Sequence, residues 1–126
     1  MAQPEVRQYE VQAHSTETFG RVLCSARNHH FVVDGPAQNG CPGEAITPAE
    51  LFLAGVAACG VELMQVIARE QKVPLQGASV GIYGALDRSN PVRSDLTLFN
   101  SVRLQFHLKG VTDEQGALLI AAFKGR

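Results

Sequence analysis

Residues Thr47 to Lys72 read TPAELFLAGVAACGVELMQVIAREQK, and the fold is decided here. The stretch opens as a helix N-terminus should. Thr47 can cap a free first-turn N–H, Pro48 suits the first helical position, and Glu50 completes a T-x-x-E capping box. From Leu51 to Ala68 only Glu62 and Gln65 are polar. A helix with so little polar surface is expected to be central and covered on most sides. Cys59 lies near its middle among Ala54, Gly55, Ala57, Ala58 and Gly60. Such small side chains either let another backbone approach closely or leave room for a substrate at the sulfur.

Outward from this helix the chain reads as a single domain of 126 residues with an α+β order. Residues 6–34 form a β-meander in which Tyr9, Val11 and Ala13 begin an alternating strand, followed by Val22–Ala26 and His30–Val33. Residues 35–46, rich in Gly and Pro, form a loop that delivers the chain to the helix of 47–72. Residues 79–110 hold two strands around the polar loop 87–95, with Val102, Leu104, Phe106 and Leu108 alternating cleanly against polar neighbours. Thr112 and Gln115 make a second capping box for a helix over 112–124. That helix is apolar and ends next to Arg126, so its far side is expected to be covered by further chain or by a partner subunit.

The net charge is -1 with pI about 6.4, and no run of Lys or Arg occurs. Nucleic acid is therefore not an expected partner. The N-terminal residues lack the pattern of a secretory signal, which predicts a cytoplasmic protein. Leu51–Ala68 has the length of a membrane span, but Glu62 at its centre and the strand-like flanks argue against a membrane role. Three cysteines, Cys24, Cys41 and Cys59, are an odd number and suggest reduced thiols rather than a disulfide framework. His14, His29, His30 and His107 are not spaced with them as metal ligands, so neither a metal nor a cofactor is expected.

The thiols are then the candidate nucleophiles. Cys24 alternates with Val22 and Ala26 and reads as a small core residue. Cys41 lies in the glycine-rich loop, and Cys59 sits on the central helix. A reactive thiolate needs a cation or donors nearby, for which Arg21 and Arg27 are available, whereas Glu62 on the same helical face would raise the thiol pKa. Glu50 could hold such an arginine. Nine residues at 100° each, however, put it on the opposite side of the helix from Cys59 and about 13 Å along it, so a site using both bends the helix or draws on two chains.

The run Asp34, Pro36, Gly40 or Gly43, Thr47-Pro48, Glu50-Leu51, Leu53-Ala54 and Ala57-Ala58-Cys59 resembles the signature of the OsmC/Ohr family. The likeness continues through VPLQGASVGIYG and FNSVRLQFHLKGV and is greater to the OsmC-like branch than to the Ohr branch. It implies an intertwined homodimer of curved antiparallel sheets around central helices, with sites at the subunit interface. It further implies a thiol-dependent reductase of organic hydroperoxides, in which Cys59 becomes a sulfenic acid that an external dithiol, such as a lipoylated protein, returns to the thiol. Under the same resemblance Glu50 and Arg21 become catalytic candidates and Cys41 a possible second redox cysteine. The Ohr-type glutamate position is Ala49 here, the family arginine aligns near Glu17 and Thr18, and the second cysteine expected beyond the last helix does not occur. A non-catalytic dimer that binds a small hydrophobic ligand at its interface is the alternative.

Overall fold

A computed structural model describes residues 6–95 and 97–125. Among these described residues five strands and two long helices follow in the order β1 (Gln12–Ser15), β2 (Arg21–Ala26), β3 (His29–Asp34), α1 (Pro48–Glu70), β4 (Gly77–Ala85), β5 (Ser101–Lys109) and α2 (Asp113–Lys124). The class is mixed α+β with antiparallel sheets and a long central helix. The chain divides into two compact units, Met1–Leu51 and Phe52–Arg126, and α1 begins in the first and continues through the second.

In the first unit β1, β2 and β3 form one antiparallel sheet in chain order. The β2–β3 turn needs only Arg27 and Asn28, because Ala26 pairs with His29, and Arg27 makes the reversal with a left-handed φ of 55°. Ladder pairing sets Arg21 opposite Asp34 at the far end of this hairpin. The first strand is shorter than its alternation suggested. It starts at Gln12, opposite Ser25, while Tyr9 and Val11 remain exposed. β2 limits the extension: by this register Val11 would face Ala26, its last residue, and beyond it the chain turns at Arg27, so residues before Val11 have no strand opposite them. The 35–46 loop holds one short 3-10 turn, Ala37–Asn39, closed by Gly40 at φ 80°.

In the second unit β4 and β5 form an antiparallel pair over their full lengths. Met64, Ile67 and Ala68 of α1 and Leu119 of α2 make the buried core, and Phe106, Leu108 and Phe123 pack against it. Phe106 and Phe123 meet edge to face at 5.5 Å between centroids. Gly60 permits the approach of α1 to the sheet, since a Cβ there would lie 3.1 Å from the Phe106 ring. Helix α2 is held by its capping box: Thr112 Oγ1 accepts the Gln115 N–H at 3.1 Å, and Gln115 Oε1 accepts the Thr112 N–H at 3.0 Å.

The expected enclosure of α1 is not met within one chain. The helix is long and apolar enough to cross a bilayer by length and composition, yet only 22% of its most apolar stretch is buried. Gly60, Met64, Ile67 and Ala68 face the core, whereas Phe52, Ala54, Gly55, Ala58, Cys59 and Glu62 are exposed. A single two-stranded sheet and α2 reach one side of the helix only.

Candidate functional site

Two groups of chemically able residues emerge, one in each unit. In the first, the two-residue β2–β3 turn brings Arg21 and Asp34 together. Arg21 Nε donates to Asp34 Oδ1 at 2.8 Å and Nη2 donates to Oδ2 at 2.9 Å. The Asp34 carboxylate is fully buried, and Oδ2 also accepts the backbone N–H groups of Glu44 at 3.0 Å and Ala45 at 2.8 Å. Four donors thus satisfy a buried anion, as its burial requires. The fork from Arg21, then the Ala45 N–H, holds the Asp34 carboxyl far below the usual carboxylate range. Arg21 Nη2 also donates to Glu44 Oε1 at 3.0 Å, and the side chain of Glu44 is 78% exposed. Hydrogen bonds to Asp34 and then Glu44 keep the guanidinium above even its ordinary range.

This clamp fixes the start of α1. The N–H of Asp34 donates to the Ile46 carbonyl at 3.0 Å, so β3 and the 44–46 segment are tied together immediately before Thr47. The capping box then closes: the Thr47 N–H and hydroxyl both donate to Glu50 Oε1, at 3.0 and 2.9 Å, while the Glu50 N–H donates to Thr47 Oγ1 at 3.4 Å. The Thr47 N–H first, and its hydroxyl second, lower the Glu50 carboxyl pKa. Cys41 is partly buried, its sulfur laid across two glycines. A Cβ at Gly20 or Gly35 would fall 2.4 or 2.5 Å from Sγ, and Gly20 also has a φ of 81° that a side chain would strain.

In the second unit Cys59 is exposed on α1. The helical face beside it is open, for a Cβ at Gly55 would meet nothing within 4 Å. Among the described residues no side chain donates a hydrogen bond to the Cys59 sulfur, and no cluster of three His, Cys, Asp or Glu residues could hold a metal ion. Phe52 stacks on Phe99 at 5.7 Å further along the same helix. Glu50 and Cys59 remain nine residues apart on one continuous helix. Of the sequence candidates, then, Arg21 is bonded to Asp34 and Glu44, Glu50 to Thr47, and Cys41 rests on Gly20 and Gly35. Cys24 is buried in β2.

Asp34 and Glu44 were not singled out by sequence as partners of Arg21. The signal was present in the tight turn at Arg27-Asn28, which forces position 21 opposite position 34.

The family model for OsmC-like protein matches residues 41–124. The chain belongs to the OsmC-like family. Solved structures agree with this OsmC-like assignment. An OsmC-like protein of Mycoplasma pneumoniae superposes with a TM-score of 0.80 at 15% identity, covering 95% of this chain and 82% of the other. A Vibrio cholerae protein named for organic hydroperoxide resistance, with captopril bound in one of its active sites, gives 0.72 at 25% identity, covering 96% and 81%. The organic hydroperoxide resistance protein OsmC of Legionella pneumophila gives 0.70 at 25% identity, covering 95% and 84%. No curated protein matches the chain in sequence.

Proposed function

We propose that this OsmC-like protein is a cytoplasmic thiol-dependent peroxidase that reduces organic hydroperoxides, with Cys59 as the nucleophile. The observation that carries the proposal is an exposed thiol on an open, small-residue face of the family's central helix. Two structural neighbours at 25% identity are named for organic hydroperoxide resistance. In the reaction the Cys59 thiolate attacks the terminal peroxide oxygen, the O–O bond breaks, and the alkoxide takes a proton and leaves as the alcohol. Sulfur gives up two electrons and becomes a sulfenic acid. An external dithiol then returns Cys59 to the thiol, releasing water and leaving as its own disulfide. No metal or organic cofactor enters this scheme, and a lipoylated protein is a suitable dithiol donor.

A second copy of the chain is the proposed cover for the apolar face of α1 that carries Phe52, Ala58 and Cys59. It would also supply what Cys59 lacks among the described residues of its own chain, a cation beside the sulfur. The experiment is hydroperoxide consumption by the purified protein with cumene hydroperoxide and dihydrolipoamide, beside a Cys59→Ser variant. Turnover lost in the variant supports the peroxidase. Equal rates in both proteins sink it.

One observation favours a second reading, a non-catalytic dimer that binds a small hydrophobic ligand at its interface. Arg21 and Glu50 are both bonded to neighbours in the first unit, and among the described residues no donor reaches Cys59. A measured Cys59 pKa separates the two: well below 7 belongs to the peroxidase, and about 8.5 to the binding protein.

A further inference from the structure

We infer that Arg21 is a binding site for a small carboxylate, occupied in the resting chain by the side chain of Glu44, which an incoming carboxylate displaces. The guanidinium has two edges able to make a fork. The Nε/Nη2 edge is spent on Asp34, whose carboxylate is fully buried and already accepts four donors. That edge is an anchor, and it fixes the plane of the guanidinium. The Nη1/Nη2 edge is only half used: Nη2 donates to Glu44 Oε1 at 3.0 Å, and among the described residues Nη1 donates to none. Arg21 is 31% exposed and the Glu44 side chain 78%, so the half-used edge is the one toward solvent.

An exposed ion pair is weakly held, because both partners are well hydrated and the long side chains lose entropy when they meet. A carboxylate that takes both Nη1 and Nη2 makes two parallel bonds where Glu44 makes one. It does so on a guanidinium that is already oriented, which lowers the ordering cost of binding. Charge selects the ligand class. Asp34 already balances the single positive charge of Arg21, so a monoanion adds less excess negative charge at the pair than a doubly charged phosphate and is accommodated more readily. Displacement of Glu44 does not dismantle the clamp, since Glu44 holds Asp34 through its backbone N–H rather than through its carboxylate.

This inference does not depend on Cys59 chemistry, and its test does not read peroxide turnover. Acetate is titrated into the full chain, at ionic strength held constant with chloride, while the Arg21 Nε–Hε resonance is followed by NMR. The wild type should shift saturably, and Glu44→Ala should bind acetate about fivefold more tightly, the scale expected for removing one exposed competing ion pair. Arg21→Lys, which keeps the charge but loses the fork, should lose the saturable response of the neighbouring Ala45 and Glu44 amides. If Arg21→Lys does not fold, the comparison of Glu44→Ala with wild type carries the test alone. Acetate binding no tighter in Glu44→Ala, or a linear shift matched by chloride, overturns the inference.

Discussion

Arg21 and Asp34 stand directly opposite each other across the β2–β3 ladder, and the guanidinium closes on both carboxylate oxygens at 2.8 and 2.9 Å. The carboxylate is buried and the arginine is not, so the pair is asymmetric: removal of the arginine strands an anion, whereas removal of the anion frees a cation that can reach water.

Arg21→Ala should therefore lower the melting temperature more than Asp34→Ala does. A drop of about 10 °C is expected for Arg21→Ala, from the usual effect of breaking a buried pair in a chain of this size. Differential scanning calorimetry of both variants checks the order. A larger loss for Asp34→Ala would mean that the two backbone N–H bonds at Glu44 and Ala45 matter more than the ion pair.

The same carboxylate sets an acid limit. Its folded pKa lies below the ordinary Asp value, so its contribution to stability is complete at neutral pH, above the unfolded pKa near 4. As pH falls below about 5 the unfolded chain takes up the proton first, and stability is lost progressively through the acid range. Denaturant midpoints measured from pH 7 to pH 3 should fall for wild type. The fall should be shallower in Asp34→Asn, which has no proton to bind at this position.

Thr47 and Glu50 satisfy each other at the start of α1. Thr47→Ala should cost about 1 kcal/mol in unfolding free energy, the usual value of an N-cap. Adding Glu50→Ala should cost somewhat less than it does alone, because the Thr47 hydroxyl is already gone while the residue-47 N–H still donates to Glu50 Oε1. Additive losses in urea titrations would show that the box is not a coupled unit.

Two glycines of α1 should respond in opposite directions. Gly60→Val places branched carbons against the Phe106 ring, which a Cβ already approaches to 3.1 Å, and should destabilise by about 1–3 kcal/mol. Gly55→Ala fills open space and should gain about 1 kcal/mol of helix stability in a monomeric chain. Sedimentation equilibrium on Gly55→Ala adds a second reading. Weakened self-association there, with the helix gain absent, is the outcome expected if a second copy packs on this face.

Both helix starts were legible because capping boxes are local: Thr47 and Glu50, like Thr112 and Gln115, need only each other and the intervening turn. β5 was legible because Leu104, Phe106 and Leu108 are partly buried while Arg103, Gln105 and His107 between them are exposed; Val102, at the start of the alternation, is exposed. The start of β1 was not, since the alternation of Tyr9 and Val11 says nothing about where β2 turns back. Nor was the Asp34 node. An aspartate at the end of the meander, just before Gly35 and Pro36, carries no local sign of burial, which depends on an arginine thirteen positions away. Cys59 was legible as a thiol among small residues on an apolar helix, whereas its exposure was not, because apolar composition says that a helix favours cover without saying whether its own chain supplies it.

The face of α1 that lies open is built largely from Ala54, Gly55, Ala58 and Cys59. Each of these exposes little apolar area, far less than a leucine or isoleucine in the same place would. Phe52 apart, an uncovered chain thus presents a surface of low adhesiveness on this face. Larger residues here would bury more on assembly but would raise the risk of indiscriminate aggregation before it. Under the proposed self-association, the small side chains around the thiol would serve the solubility of the unassembled chain as well as access to the sulfur.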